Sequence, residues 1–164
     1  MKRLLAAALF SALLLAPAAA QNRPQPAAVP AEPPSIVVTI SVPKQEMRVV
    51  VDGVEQYVWP VSTAKQGALT PAGTFKVQSM HVMTYSRLFN MAPMPHSIFY
   101  DGHYAIHGTT AISMLGRPAS MGCTRLHPDN AKILFEMVKA RGAQSLQVVV
   151  LRDDQRISST SLTR

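Results

Sequence analysis

One residue of the 164 is a cysteine, Cys123, and it stands in the run Ser120-Met121-Gly122-Cys123-Thr124-Arg125. His107 lies 16 residues upstream, in Ala105-Ile106-His107-Gly108-Thr109. A thiol and an imidazole are the two groups that nucleophilic acyl transfer requires. A free cysteine, with a pKa near about 8.5, is mostly thiol at neutral pH. A neighbouring imidazole takes its proton, stabilises the anion and later protonates the leaving amine. Gly122 would let the backbone approach a substrate, and the amides of Gly122 and Cys123 could face the developing oxyanion. A third group must hold the imidazole in one tautomer. No Asp or Asn adjoins either run, so a backbone carbonyl is the candidate.

Plainer readings exist for each residue. A free cysteine is often just a small buried hydrophobe. His103, His107 and Cys123 could be taken for metal ligands, but zinc-type spacing is absent and a second cysteine would be expected. No metal and no cofactor are therefore expected. His103 reads as a pocket wall or an exposed hairpin residue, and His81 and His96 as surface or loop residues. His127 is placed to cap a helix. Trp59 and the tyrosines read as packing residues, although Tyr104, three residues before His107, could line the pocket. Arg125 is either a clamp for a substrate carboxylate or a bridge that fixes the nucleophile loop.

The elements that must position these groups are mostly strands. Ser35–Val42 is β-branched and apolar. Met47–Val51 and Tyr57–Val61 flank Asp52-Gly53, a hairpin signal, and Ile98–Tyr100 and Tyr104–His107 flank a second one, Asp101-Gly102. Thr70-Pro71-Ala72-Gly73 reads as a turn before a strand at Thr74–Gln78. Leu146–Leu151 is nearly all apolar, which predicts a strand buried on both faces. One helix is expected after His127. Pro128 suits its first position, Asp129 the positive end of its dipole, and Gly142 its end. Ala131, Leu134, Phe135 and Val138 make its apolar stripe. Met80–Pro95 is Met-rich and irregular, a flap over a site or a long surface loop. The pattern predicts a mainly β domain, a sandwich or mixed sheet with one late α-helix, over residues 36–151.

Composition places this domain outside the cytoplasm. Lys2 and Arg3, the apolar run Leu4–Leu15 and Ala18-Ala19-Ala20 read as a cleaved secretory leader over residues 1–20. That run is shorter than the roughly 20 residues a spanning helix needs, and Pro17 interrupts it, so no stable membrane span is expected after cleavage. Residues 21–35 form a Pro/Ala-rich linker and residues 152–164 a polar tail. Exported small domains usually carry even numbers of cysteines as disulfides, so a lone thiol points to a chemical role. The formal charge is +7. Export argues against nucleic acid as a partner, and an anionic wall polymer or membrane surface suits a basic exported protein better.

The stretch Tyr104–His127, with its His-Gly and Ser-x-Gly-Cys-x-Arg pieces, resembles the L,D-transpeptidase family with the YkuD-type catalytic domain. Val61-Ser62-Thr63 and Thr70-Pro71-Ala72-Gly73-Thr74-Phe75 resemble further pieces of that family, so the likeness spans about residues 36–151. The resemblance implies a YkuD-like β-sandwich, a periplasmic location and no metal. It implies that Cys123 attacks the bond between the third and fourth residues of a peptidoglycan tetrapeptide stem. An amine of a second stem, or of a lipoprotein, would then resolve the acyl-enzyme. By matching positions His107 is the base, the Gly108 carbonyl orients it, and Ser120, Gly122 and Arg125 shape the nucleophile loop. Met121 and Arg125 stand where several relatives carry other residues, which bears on donor or acceptor preference. A thiol-dependent hydrolase and a non-catalytic wall-binding module are the alternatives.

Overall fold

The computed structural model describes residues 34–152. The expected leader, nearly all of the linker and the tail beyond Arg152 lie outside the described residues.

Strand β1 (Ile36–Ser41) pairs antiparallel with β2 (Glu46–Val51), and β2 with β3 (Val54–Pro60). The β2–β3 turn is the expected Asp52-Gly53, with φ of 50° and 81°. Positive φ at both central residues matches the twist of the flanking strands, which is why this dipeptide marks hairpins. The last strand, β9 (Leu146–Leu151), returns parallel to β1, and β4 (Gly73–Lys76) pairs antiparallel with β9. The first sheet therefore runs β3-β2-β1-β9-β4. Ile36, Val38 and Ile40 of β1 stand beside Leu146, Val148 and Val150 of β9, and all six are buried. Strand β9 was expected to be buried on both faces. Instead it alternates buried and half-buried residues, because only one of its faces meets the core.

The second sheet runs β5-β6-β7-β8, from β5 (Ser79–Ser86), β6 (Ala92–Asp101), β7 (Tyr104–Gly108) and the three-residue β8 (Thr124–Leu126). Ile98, Tyr100, Ile106 and Leu126 from this sheet join the first sheet's inward residues in one buried cluster. The architecture is mainly β, two mixed sheets with one α-helix among the described residues, as the pattern predicted.

The segment Met80–Pro95 departs from the expectation of irregular structure. It is most of a regular hairpin, β5 and β6 joined by a turn at Arg87–Met91. Two things hid it. Its strands carry exposed residues on both faces, so the apolar alternation that reports a strand is lost. Pro93 and Pro95 lie within β6, and proline argues against a paired strand on sequence grounds. His96, expected on the surface, is half-buried, takes φ of 52° and sets its ring edge-on to Phe135.

Helix α1 (Pro128–Arg141) buries the expected stripe of Ala131, Leu134, Phe135 and Val138 and packs against β6 and β7. His127 caps it, its Nδ1 accepting from the Asp129 amide at 3.3 Å. Arg141, in its last turn, donates to both Asp52 carboxylate oxygens at 2.7 and 2.9 Å. That tie fastens the helix end to the β2–β3 turn and holds the Asp52 carboxyl below its ordinary pKa.

Gly108 sits where α1 meets β7. Gly108 is the last residue of β7 and not among the positive-φ glycines, so no turn explains a glycine there. The reason is space. A Cβ at Gly108 would come within 3.1 Å of Pro95 Cγ and 3.2 Å of the Pro128 backbone. Gly108→Ala should therefore cost about 1–3 kcal/mol, as overpacking does. Urea unfolding measures it, and an unchanged midpoint would remove close packing as the reason for glycine.

Candidate active site

Strand β8 is short, but its partner fixes the site. It pairs parallel to β7, with Ile106 opposite Thr124, His107 opposite Arg125 and Gly108 opposite Leu126. Opposed residues in a ladder point to the same face, and alternate residues to opposite faces. Ile106, Thr124 and Leu126 turn inward and are buried. His107 and Arg125 take the other face, and Cys123, one residue before β8, falls on that face too. The parallel sheet thus brings residues 16 apart in sequence to one face. Cys123, His107 and Arg125 share the wall of a cavity of about 400 Å³, which Ser120, Met121 and His103 also line. The β5–β6 hairpin supplies the opposing wall.

The imidazole is oriented by backbone. His107 Nδ1 lies 2.8 Å from the Gly108 carbonyl. A carbonyl only accepts, so Nδ1 carries the proton and Nε2 is left as an unprotonated acceptor. His107 is 6% exposed. Burial disfavours the charged ring and pulls its pKa down to about 4, against the Gly108 carbonyl, which favours the cation; the nearby Arg125 charge lowers it further. At neutral pH the imidazole is uncharged.

The thiol is also protonated at rest. Cys123 is half-buried, and desolvation raises its pKa above the ordinary value. The Ala105 amide and the Arg125 charge pull the other way and favour the anion. Sγ donates to the His103 carbonyl at 3.6 Å. One cavity thus holds a neutral thiol and a neutral imidazole, with groups in place that favour the thiolate once it forms.

A buried polar seam holds the loop that carries Cys123. Gln45 sits in the β1–β2 turn at φ of 52°. Its side chain donates to the Val42 carbonyl and to Thr63 Oγ1, both at 2.6 Å, and accepts from the Thr63 amide at 2.9 Å. The Thr63 carbonyl accepts from the Ala119 and Ser120 amides at 3.0 and 2.9 Å, and the Lys65 amide donates to the Ser120 carbonyl at 2.9 Å. Ser62 and Arg125 exchange backbone bonds at 3.0 and 2.9 Å and cover the free edge of β8. Thr70 ties in the far side: Oγ1 accepts from the Ala64 amide at 3.0 Å and donates to the Gly122 carbonyl at 2.8 Å. Thr63 and Thr70 stand in runs that stood out in the sequence, but their side-chain roles did not. Gln45 had no sequence signal beyond lying in a turn.

Gly122 has φ of 136°, and a Cβ there would come 2.5 Å from the Tyr104 ring and 2.7 Å from the Leu69 carbonyl. Both the backbone conformation and the space require glycine. Its amide donates to Ser120 Oγ at 3.0 Å, so of the two amides considered for an oxyanion this one is engaged within the loop. Tyr104 lies behind the loop, against Gly122, with its ring 4.2 Å from that of His103. His103, not Tyr104, reaches the cavity. Arg125 faces the cavity and also donates to the Ala119 carbonyl at 3.5 Å, so it braces the loop from the cavity side.

Residues 35–150 match the YkuD model, the L,D-transpeptidase catalytic domain. The chain belongs to this family. YqjB of Bacillus subtilis (strain 168), a protein assigned only provisionally as an L,D-transpeptidase, is 31% identical over 124 residues, covering 68% of each chain. Among solved structures, an L,D-transpeptidase from Mycobacterium smegmatis is similar with a TM-score of 0.63 at 21% identity, over 71% of this chain and 58% of that one. L,D-transpeptidase 3 from Mycobacterium tuberculosis, solved with a faropenem-derived adduct, gives 0.61 at 20% identity, over 73% and 61%. At those identities the solved structures speak for the YkuD fold. This chain spans about three fifths of their length.

The buried imidazole of this YkuD domain has a consequence for stability. Its folded pKa, about 4, lies below the ordinary 6.5. Between those values the unfolded chain binds a proton that the folded chain refuses. The stability linked to His107 is complete above pH 6.5, falls through the window, and is lost below about pH 4. The loss should reach about 3 kcal/mol. Urea unfolding of wild type and His107→Gln across pH 4–7 isolates it. The difference between the two curves should grow toward acid; parallel curves would contradict the depressed pKa.

Proposed function

We propose that this protein is an exported L,D-transpeptidase that works through a Cys123 acyl-enzyme on peptidoglycan tetrapeptide stems. The observation that carries this reading is a single cavity lined by both the Cys123 thiol and an imidazole whose Nδ1 is tied to the Gly108 carbonyl. An imidazole so tied can take a proton only at Nε2, the position a general base uses.

In this reading the donor's third carbonyl enters the cavity beside Cys123. Sγ attacks it as the thiol proton passes to His107 Nε2. The Cys123 amide is the remaining loop candidate for the tetrahedral oxyanion, with Arg125 favouring negative charge nearby. The intermediate collapses with cleavage of the bond to the fourth residue, whose nitrogen takes the proton from the imidazolium. D-Alanine leaves and a thioester remains. An amine of a second stem then attacks the thioester and gives its proton to His107. The new amide forms, the C–S bond breaks, and the proton returns to sulfur. The product is a 3→3 cross-link, or a wall-attached lipoprotein where a lipoprotein supplies the amine. The leader read from residues 1–20 fits an enzyme that meets this substrate in the periplasm.

The resting thiol explains how such an enzyme avoids indiscriminate reaction. The proton transfer to His107 becomes favourable only as the thiolate is consumed by the substrate carbonyl.

Protein from residue 21 onward, incubated with meropenem and a tetrapeptide stem and read by intact mass, tests the reading. Wild type should gain a drug-sized adduct and convert stems to dimers. Cys123→Ala should do neither while remaining folded, and His107→Gln should acylate about a hundredfold more slowly or worse. Tripeptide without dimer would redirect the reading to a hydrolase. Transfer by Cys123→Ala would remove the mechanism.

A further inference from the structure

The β5–β6 hairpin places a cation over the site. Arg87 is the first residue of its turn and lines the cavity opposite Cys123. It forms no hydrogen bond or ion pair among the described residues, whereas the other cavity arginine, Arg125, is spent partly on the Ala119 carbonyl. On this side Leu88 and Phe89 from the turn and Met94 and Phe99 from β6 supply apolar side chains, next to the hydroxyls of Thr84 and Ser86 from β5. Leu88 and Phe89 are 68% and 43% exposed, side chains that a bound ligand would cover. Among the described residues that line the cavity, two are arginines, one of the others is His103, and none is Asp or Glu.

We infer that Arg87 is a specificity-determining residue that makes the cavity selective for ligands bearing a carboxylate. On the function proposed above, it reads a free carboxylate of the donor stem and discriminates against the amidated form. Arg87 is exposed on the cavity lining, so its guanidinium is free to meet an incoming anion. Its planar fork matches a carboxylate with two parallel hydrogen bonds, and a primary amide offers it one acceptor at most. No carboxylate of the cavity competes for it. The hairpin tip therefore carries both parts of a subsite: apolar side chains to cover the peptide and an uncommitted fork to orient it. Two carboxylates flank the scissile bond: the terminal one of the fourth residue, and a side-chain one on the third where the stem has it. Both offer the same chemistry to Arg87.

The first test needs no wall substrate. Alkylation of Cys123 by iodoacetate and by iodoacetamide is timed, each relative to a small free thiol at the same pH. Wild type should favour the anionic reagent about tenfold more than the free thiol does. Arg87→Gln should lose at least about threefold of that preference, and Arg87→Lys should keep most of it. An unchanged preference in Arg87→Gln would overturn the inference. The second test compares three tetrapeptide donors: unmodified, amidated on the third side chain, and amidated at the terminus. Arg87→Gln should raise KM for the unmodified donor about tenfold with little change in kcat. It should leave KM nearly unchanged for whichever donor has lost the carboxylate that Arg87 reads. The same KM penalty on all three donors, or a fall in kcat alone, would overturn donor reading. If wild type turns over no donor while the alkylation preference and its Arg87 dependence hold, the transpeptidase reading fails and the carboxylate-selective cavity stands.

Discussion

A parallel pairing three residues long decides where Cys123 stands relative to His107. Strand β8 is too short to be stable by itself, and the ladder it forms with β7 brings Cys123 to the face that carries His107. Antiparallel neighbours can be joined by a tight turn, but parallel ones need a crossover. Here the crossover is the 109–123 segment, which has a single short 3-10 turn at Ile112–Met114. Such a segment cannot hold itself, and the seam from Gln45 through Thr63 to Ser120 holds it by backbone bonds. The glutamine lies in the first sheet's β1–β2 turn, so the loop that carries Cys123 is braced from the first sheet. The buried core shared by the two sheets keeps that brace in register.

The same burial sets the electrostatics. Desolvation keeps both dyad members neutral, pushing the imidazole down and the thiol up. Neither is left as an unpaired buried charge, which would be costly. The donors that favour an anion are arranged around the sulfur and do not abolish its proton. Tyr100, buried beneath this region, is likewise held as a neutral phenol by desolvation. In the proposed reaction the reactivity comes from what arrives: a carbonyl that accepts the sulfur's electrons as the imidazole accepts its proton.

Much of this was legible because it is local. Asp52-Gly53 marks a hairpin since few other pairs tolerate its φ values, and the stripe of α1 is a statement about one helix face. The thiol and the imidazole announced themselves by type, and the family likeness ran through the same residues. What was hidden depends on distant neighbours. Gly108 is a glycine because Pro95 and Pro128 crowd it, not because the chain turns. Gly122 needs glycine because the Tyr104 ring and the Leu69 carbonyl crowd it. Gln45 looks like any polar turn residue until its partners 18 positions away are known. The β5–β6 hairpin escaped notice because a strand exposed on both faces has no burial pattern to betray it.

The central claim is a neutral pair, a thiol beside an imidazole protonated at Nδ1. Nitrogen-15 NMR of the His107 ring, in wild type and in Cys123→Ala, tests it most directly. The account predicts a neutral ring with its proton on Nδ1 at pH 7 in both proteins, with no titration until the pH approaches about 4. A charged ring at pH 7 in wild type that becomes neutral in Cys123→Ala would mean a preformed thiolate–imidazolium pair, and would contradict it.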